Sequence, residues 1–178
     1  RQALKSETNG EGSVAVGSRA LQSANGGTFT RTVAIGKDAG MSVTNSTSNV
    51  FIGDRAMTSG TGGKNVIVGA EAAKTQARNN SVIVGYQAAV SGASMGSNEV
   101  IIGYQAGRSS TAAGHASIGY TAGYSQTSGL GNTNLGYQAG YSNTTAADRT
   151  IVGYEAGEFS TGAANTFLGL AAGKGTSG

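Results

Sequence analysis

Few side chains in this sequence are equipped for chemistry, and their spacing limits what they can do. Of seven tyrosines, five follow a glycine at steps of 16 to 18 residues: Tyr86, Tyr104, Tyr120, Tyr137 and Tyr154. Tyr124 and Tyr141 lie four residues further on in two of those copies. One per repeat, the five form a ladder if the repeats stack. As structure, the ladder staples corners and covers a subunit seam, each aromatic pair adding about 0.5–1.5 kcal/mol. As function, it is a sugar- or protein-binding strip, because exposed tyrosine is a favoured contact residue. The structural role is the one expected, and the five tyrosines stand as the candidate binding residues.

Catalysis is not expected. A catalytic site needs a base or nucleophile held near an activator. His115 is the only histidine, and it precedes a strand where Asn or Ser stands in other copies. A surface turn residue is expected there rather than a catalyst. Cysteine is absent, which removes zinc-thiolate, iron–sulfur and disulfide chemistry. Asp148, Glu155 and Glu158 are the only acidic concentration, expected on a solvated edge. There is no P-loop, no GxGxxG after a strand and no Asp-rich calcium turn. The expectation is no metal and no cofactor. The twelve basic residues give a net charge of +3 but are scattered, whereas a nucleic-acid footprint clusters them, so nucleic acid is not an expected partner. No apolar run reaches the length that spans a membrane as a helix.

The elements that must carry these residues form one repeat. Gly17, Gly36, Gly53, Gly69, Gly85, Gly103, Gly119, Gly136, Gly153 and Gly169 each end a short, mostly aliphatic triplet, at steps of 16 to 19 residues. Three residues after each glycine stands an alanine, from Ala20 and Ala39 through to Ala156 and Ala172. Six of these alanines precede a second glycine: Gly40, Gly107, Gly123, Gly140, Gly157 and Gly173. β-Branched triplets between glycine and polar clusters predict short strands. A unit this short cannot bury its own apolar face, so the units must stack. The fold class expected is all-β: a parallel β-roll or β-solenoid of about ten coils, each with two short strands and two turns. The first glycine frees the corner backbone. The alanine marks an inward position with room for a methyl group. Stacking at about 4.8 Å makes a rod about 45 Å long.

The polar segments absorb the variation in step length. Gly40–Ser48 and Val90–Ser97 are therefore expected to loop out on the surface, where insertions are tolerated. Asn49, Asn65, Asn132 and Asn165 precede strands, where asparagine tolerates left-handed geometry and can bond to a neighbouring coil's backbone. The absence of proline fits coil-to-coil ladders that need every backbone donor.

Both strand faces are apolar. The third triplet position is aliphatic in all ten copies, and the middle one, which points the other way, is apolar in eight. One face fills the coil; the other forms an exposed stripe, which in a soluble protein marks an interface. The interface is assigned to the middle position, with Phe51, Ile67, Ile83, Ile101, Ile151 and Phe167 as candidates for side-by-side association of identical chains.

The motif then has relatives. Ser13-Val14-Ala15-Val16-Gly17-Ser18-Arg19-Ala20 and Thr32-Val33-Ala34-Ile35-Gly36-Lys37-Asp38-Ala39 resemble the head repeats of YadA-like trimeric autotransporter adhesins. Asn132-Thr133-Asn134-Leu135-Gly136-Tyr137-Gln138-Ala139-Gly140 is similar to repeats of phage tail fibres and bacterial tail-fibre-like adhesins. The resemblance covers nearly the whole chain. It implies a homotrimer of left-handed parallel β-rolls, an extracellular fibre, and attachment to a glycan or protein on a cell surface; the alternative it implies is a receptor-binding segment of a phage tail. The steps here are longer than in the adhesin heads, so loop contacts do not carry over. Neither subunit number nor handedness follows from the repeat itself.

Two rivals fit less well. Trimeric hexapeptide acyltransferases are another left-handed β-helix class, and Ile102-Gly103 or Val152-Gly153 could start a hexapeptide. That fold wants an aliphatic residue every six, and this chain offers one such site per coil. Ice binding wants a regular threonine ladder, and the pair Thr28 and Thr30 does not recur. The chain divides into an N-terminal stub of something longer at 1–12, the repeats at 13–173 and a linker at 174–178.

Overall fold

A computed structural model describes residues 3, 11–23, 30–75, 78–91 and 96–176. Most of the expected N-terminal stub, Thr28, loop residues 92–95 and the last two linker residues lie outside them. The triplets form strands as expected: β1 (Val14–Val16), β2 (Val33–Ile35), β4 (Val50–Ile52), β6 (Val66–Val68), β7 (Val82–Val84), β8 (Val100–Ile102), β9 (Ala116–Ile118), β10 (Thr133–Leu135), β11 (Thr150–Val152) and β12 (Thr166–Leu168). They join one ten-stranded parallel sheet in which each copy pairs with the next. Register is fixed by the repeat: Val82 pairs with Val100, Ile83 with Ile101 and Val84 with Ile102. The result is an all-β solenoid of about eight turns, against the ten coils expected.

The second strand expected in each coil occurs, among the described residues, in only two. These are β3 (Ser42–Thr44) and β5 (Ser59–Thr61), paired in parallel as a small separate sheet. The Gly40–Ser48 segment is therefore not a surface loop throughout, since Val43 and Ser46 within it are fully buried. In the other described coils turns and bends cover this side, with ladder bonds such as Ser109 N–H to Tyr124 O (3.0 Å) and Ser125 N–H to Tyr141 O (3.0 Å).

The corner glycine has two reasons to be glycine. Gly103 lies at φ 138°, a region L-residues avoid. A Cβ there would also overlap the backbone of Gly119 in the next coil. After each corner the chain takes a left-handed residue at the second position whatever its side chain, including Arg19, Asp38, Arg55, Glu71 and Gln105. The position after the alanine is left-handed too, whether it is glycine, as at Gly107 (φ 50°), or Leu21, Met57, Ala73 and Ala89. The second glycine is thus a site of local geometry and of close packing: a Cβ on Gly107 would press on the Ile101 side chain.

The interior corrects the assignment of strand faces. Phe51, Ile67, Ile83, Ile101 and Ile151, expected at an interface, are fully buried inside their own chain, and Phe167 packs against Ala139, Ile151 and Ala156. The alternation was right and the direction reversed. The inner volume is larger than a narrow coil suggests, because its other inward column is reduced to alanine (Ala39, Ala56, Ala72, Ala88, Ala106 and Ala139, all fully buried) and glycine follows that alanine where needed. Large middle residues fill the remaining space. The outward stripe is built instead from first and third positions, with Val16 55%, Ile35 39%, Ile102 36% and Leu135 43% exposed. Inside, the apolar core running from Ala20 to Ala106 gives way to a polar layer at Ser117 and Asn134 before Ile151.

Candidate functional site

The expected tyrosine ladder forms. Tyr86, Tyr104, Tyr120, Tyr137 and Tyr154 stack ring on ring, with centroids 5.6, 5.1, 5.1 and 4.8 Å apart and planes within 19°. Tyr124 and Tyr141 make a parallel stack of their own at 4.9 Å, with the Arg108 guanidinium 5.5 Å from the Tyr124 ring. All five ladder rings are partly exposed. Stacking covers the ring faces along the ladder and leaves edges and hydroxyls outward. Sugars pack on ring faces, so the interior rungs offer a sugar little beyond hydroxyl contacts. Each ladder tyrosine lies two residues beyond a third-position residue of the strand, as Tyr104 follows Ile102. The ladder therefore borders the exposed apolar stripe of the sheet. In the first coils the same column reads Ser18, Lys37, Asp54 and Ala70, so the aromatic border belongs to the C-terminal half.

Beside it runs a second ladder in the left-handed positions. Arg19 makes a two-pronged ion pair with Asp38, both contacts at 2.6 Å. Arg55 bonds Glu71 at 3.0 Å. Gln87 then donates to Glu71 (2.8 Å) and Gln105 to Gln87 (2.7 Å). The hydrogen bond from Gln87 is the main reason the Glu71 carboxyl is held below its ordinary value, with Lys74 and Arg55 adding to it. Exposed pairs of this kind are worth little singly, and their geometry chiefly fixes coil register.

The sequence-level view of the acidic residues is half right. Glu155 is a coil-corner residue, but Glu158 is buried, and both carboxylates meet Lys174, at 2.5 and 3.0 Å. Asp148 is apart from them, in the turn before β11. Among the described residues no group of three His, Asp or Glu could hold a metal ion.

His115 is the clearest correction. It is not a surface turn residue; its side chain is sealed inside the solenoid. It belongs to an inward polar column directly before the strands: Thr32, Asn49, Asn65, Ser81, Glu99, His115, Asn132 and Arg149. Where the residue is asparagine, its side chain works as expected on neighbouring backbone. Asn49 Oδ1 accepts from Asn65 N–H (2.9 Å), Asn65 Oδ1 from Ser81 N–H (3.1 Å) and Asn132 Oδ1 from Arg149 N–H (3.0 Å). The left-handed residue, however, is the one before it, such as Ser48 or Lys64.

Three coils put a charge-bearing side chain into this column. Glu99 is compensated: it forms a buried ion pair with Arg78, accepts from the Ser110 hydroxyl (3.2 Å) and lies 3.2 Å from His115 Nε2. Ser110 Oγ is 2.8 Å from the same His115 nitrogen. Burial first, and the Arg78 charge second, push His115 down to about 4 from 6.5. These residue types invite comparison with a Ser-His-acid relay. In such a relay the serine and the acid occupy opposite ring nitrogens; here both face Nε2, and no part of the cluster reaches solvent. The cluster lacks the geometry of that relay. Arg149 differs: its three guanidinium nitrogens have no hydrogen-bond acceptor, it lies over the Phe167 ring at 5.9 Å, and burial lowers its pKa. The sequence signal for the column was the recurring asparagine; aligning Glu99, His115 and Arg149 with it would have placed all three inside.

Comparison with protein families, with curated proteins and with solved structures finds no match for this chain.

Proposed function

We propose that the chain is a non-enzymatic fibre segment of a bacterial surface adhesin, a homotrimer of left-handed β-rolls that mediates attachment to cells or surfaces. The observation that carries this reading is the outward stripe: ten strands in register present an apolar third residue, flanked in the first seven strands by an apolar first residue, along a sheet about 45 Å long. Isolated exposed apolar residues need no explanation, but an unbroken ladder of them marks an association surface. The tyrosine ladder at its border fits the rim of such a surface, where aromatic residues are enriched. A linear stack of short coils also suits a rod, since each coil needs only its neighbours. The lone histidine is consumed in a buried network, which supports a binding rather than a catalytic role. In this reading chains meet through the strand face, and ligands are met by loops and corners.

Adhesion is tested with beads coated with the purified chain, applied to bacterial, epithelial and abiotic surfaces. Retention above that of beads carrying an unrelated β-solenoid is the expected result. Retention no better than that control on every surface overturns the adhesive reading.

A further inference from the structure

The corner before β6 carries two adjacent glycines. In the coil leading to β6 it reads Gly62-Gly63-Lys64, while the flanking coils carry Asn45 and Thr47 on one side and Asn79 and Asn80 on the other. A notch of about 270 Å³ opens at this corner, lined by these residues. Both glycines are required by the backbone: a Cβ on Gly62 would overlap the Arg78 carbonyl, and one on Gly63 would press on the Thr47 carbonyl. The floor is fixed by Lys64 N–H to Thr47 O (2.9 Å), Asn80 N–H to Gly63 O (3.1 Å) and Gly63 N–H to Asn79 Oδ1 (3.0 Å). The notch is therefore held open by the coil stack and needs no rearrangement to receive a ligand.

Its chemistry is narrow. The side chains around it are carboxamides, one hydroxyl and one ammonium; there is no aromatic or aliphatic wall. Apolar molecules and nucleobases gain nothing there. Carboxamides offer a donor and an acceptor side by side, the pattern that adjacent sugar hydroxyls complement. The two walls lie two coil steps apart, about 10 Å, which admits one sugar ring between them. Lys64 is exposed and, among the described residues, has no ion pair, so its charge is available to a carboxylate.

We propose that this notch is a binding site for a carboxylated sugar, with the Asn45, Thr47 and Asn79 side chains on the ring hydroxyls and Lys64 on the carboxylate. It goes beyond the adhesive reading, because a fibre that only spaces other domains has no use for it. A single shallow polar site binds weakly, and repetition in a multi-chain fibre raises its effective strength.

The experiment is an NMR titration of the full chain with methyl β-glucuronide, methyl β-glucoside and acetate, alongside the variants Lys64→Gln and Asn45→Gly/Thr47→Val. The expected result is that the glucuronide shifts resonances of the notch and binds about tenfold more tightly than the glucoside or acetate. Lys64→Gln lowers glucuronide affinity to the glucoside level with melting temperature unchanged, and Asn45→Gly/Thr47→Val, which keeps the left-handed backbone at 45, weakens both sugars while the fold is retained. Equal binding of the two sugars, binding of acetate as tight as the glucuronide, no change with Lys64→Gln, or no binding at all overturns the proposal. Beads retained on cells after any of those outcomes would leave the adhesive reading standing and remove this site alone.

Discussion

The two faces of the same ten strands carry similar residues and meet opposite fates. Ile101 and Ile102 are neighbours in β8; the first is fully buried and the second is 36% exposed. Inside, the middle residues meet alanine, glycine and one another, and the volume is closed. Outside, the first and third residues meet only their neighbours in the adjacent strands and stay partly exposed. Hydrophobicity alone does not separate the faces, because both columns are largely apolar. What separates them is what lies opposite. The alanine and second-glycine columns leave an interior that only the middle residue can fill, so the flanking residues must face out. The inner face holds the fold, and the outer face is available for assembly.

Perturbations of the two faces should therefore separate stability from assembly. The largest effect is expected inside, at the buried charge network. Glu99→Ala strands Arg78 without its carboxylate, and removing one partner of a buried pair costs about 3–5 kcal/mol. Chemical denaturation measures this, and a loss under about 1 kcal/mol would mean that the cluster is hydrated. Next comes Ile101→Ala, which leaves a cavity beneath Gly107 and should cost about 2–5 kcal/mol by the same measurement.

Acid should weaken the interior too. His115 is held near 4 in the folded chain against 6.5 when unfolded, so the unfolded chain binds more protons between those values. Stability is then complete above about pH 6.5 and falls as pH drops towards 4, by on the order of 3 kcal/mol. Denaturation from pH 7.5 to 4 checks this, and His115→Asn, which restores the column's usual residue, should flatten the profile. A slope unchanged in that variant would assign the acid sensitivity elsewhere.

On the outer side, Tyr104→Ser/Tyr120→Ser removes three stacked pairs from a partly exposed ladder. The expected cost is about 1–3 kcal/mol, lower if the rings are solvated in the isolated chain. If surface attachment is lost while melting is unchanged, the ladder is a contact strip and not a staple.

Much of this was legible in the sequence, for identifiable reasons. Strand positions and their order followed from the glycine-ended triplets, because the same triplet, glycine and alanine recur in each copy whatever the length of the segment between them. The inward alanine was legible because the residue never varies in size. The direction of the faces was not. An alternating triplet says that two faces exist, and only the volume opposite each says which is inside. Nor was the depth of His115, Glu99 and Arg149, whose charge argues for the surface while their column places them inside. The second strand was overestimated, since the variable segments pair as strands only where β3 and β5 match in length and register. The tyrosine ladder was foreseen from spacing; that its rings would cover each other's faces needed the coil stack.

The most direct test of the account is the solution mass of the purified chain by sedimentation equilibrium, alone and as Ile35→Asp/Ile102→Asp. Those residues are partly exposed on the outer face, so the variant should still fold, with a melting temperature lowered by the loss of assembly and independent of concentration. The account predicts three times the 17.5 kDa chain mass for the unaltered protein and a single-chain mass for the variant. A single-chain mass for the unaltered protein at micromolar concentration, or an assembly indifferent to both aspartates, would contradict it.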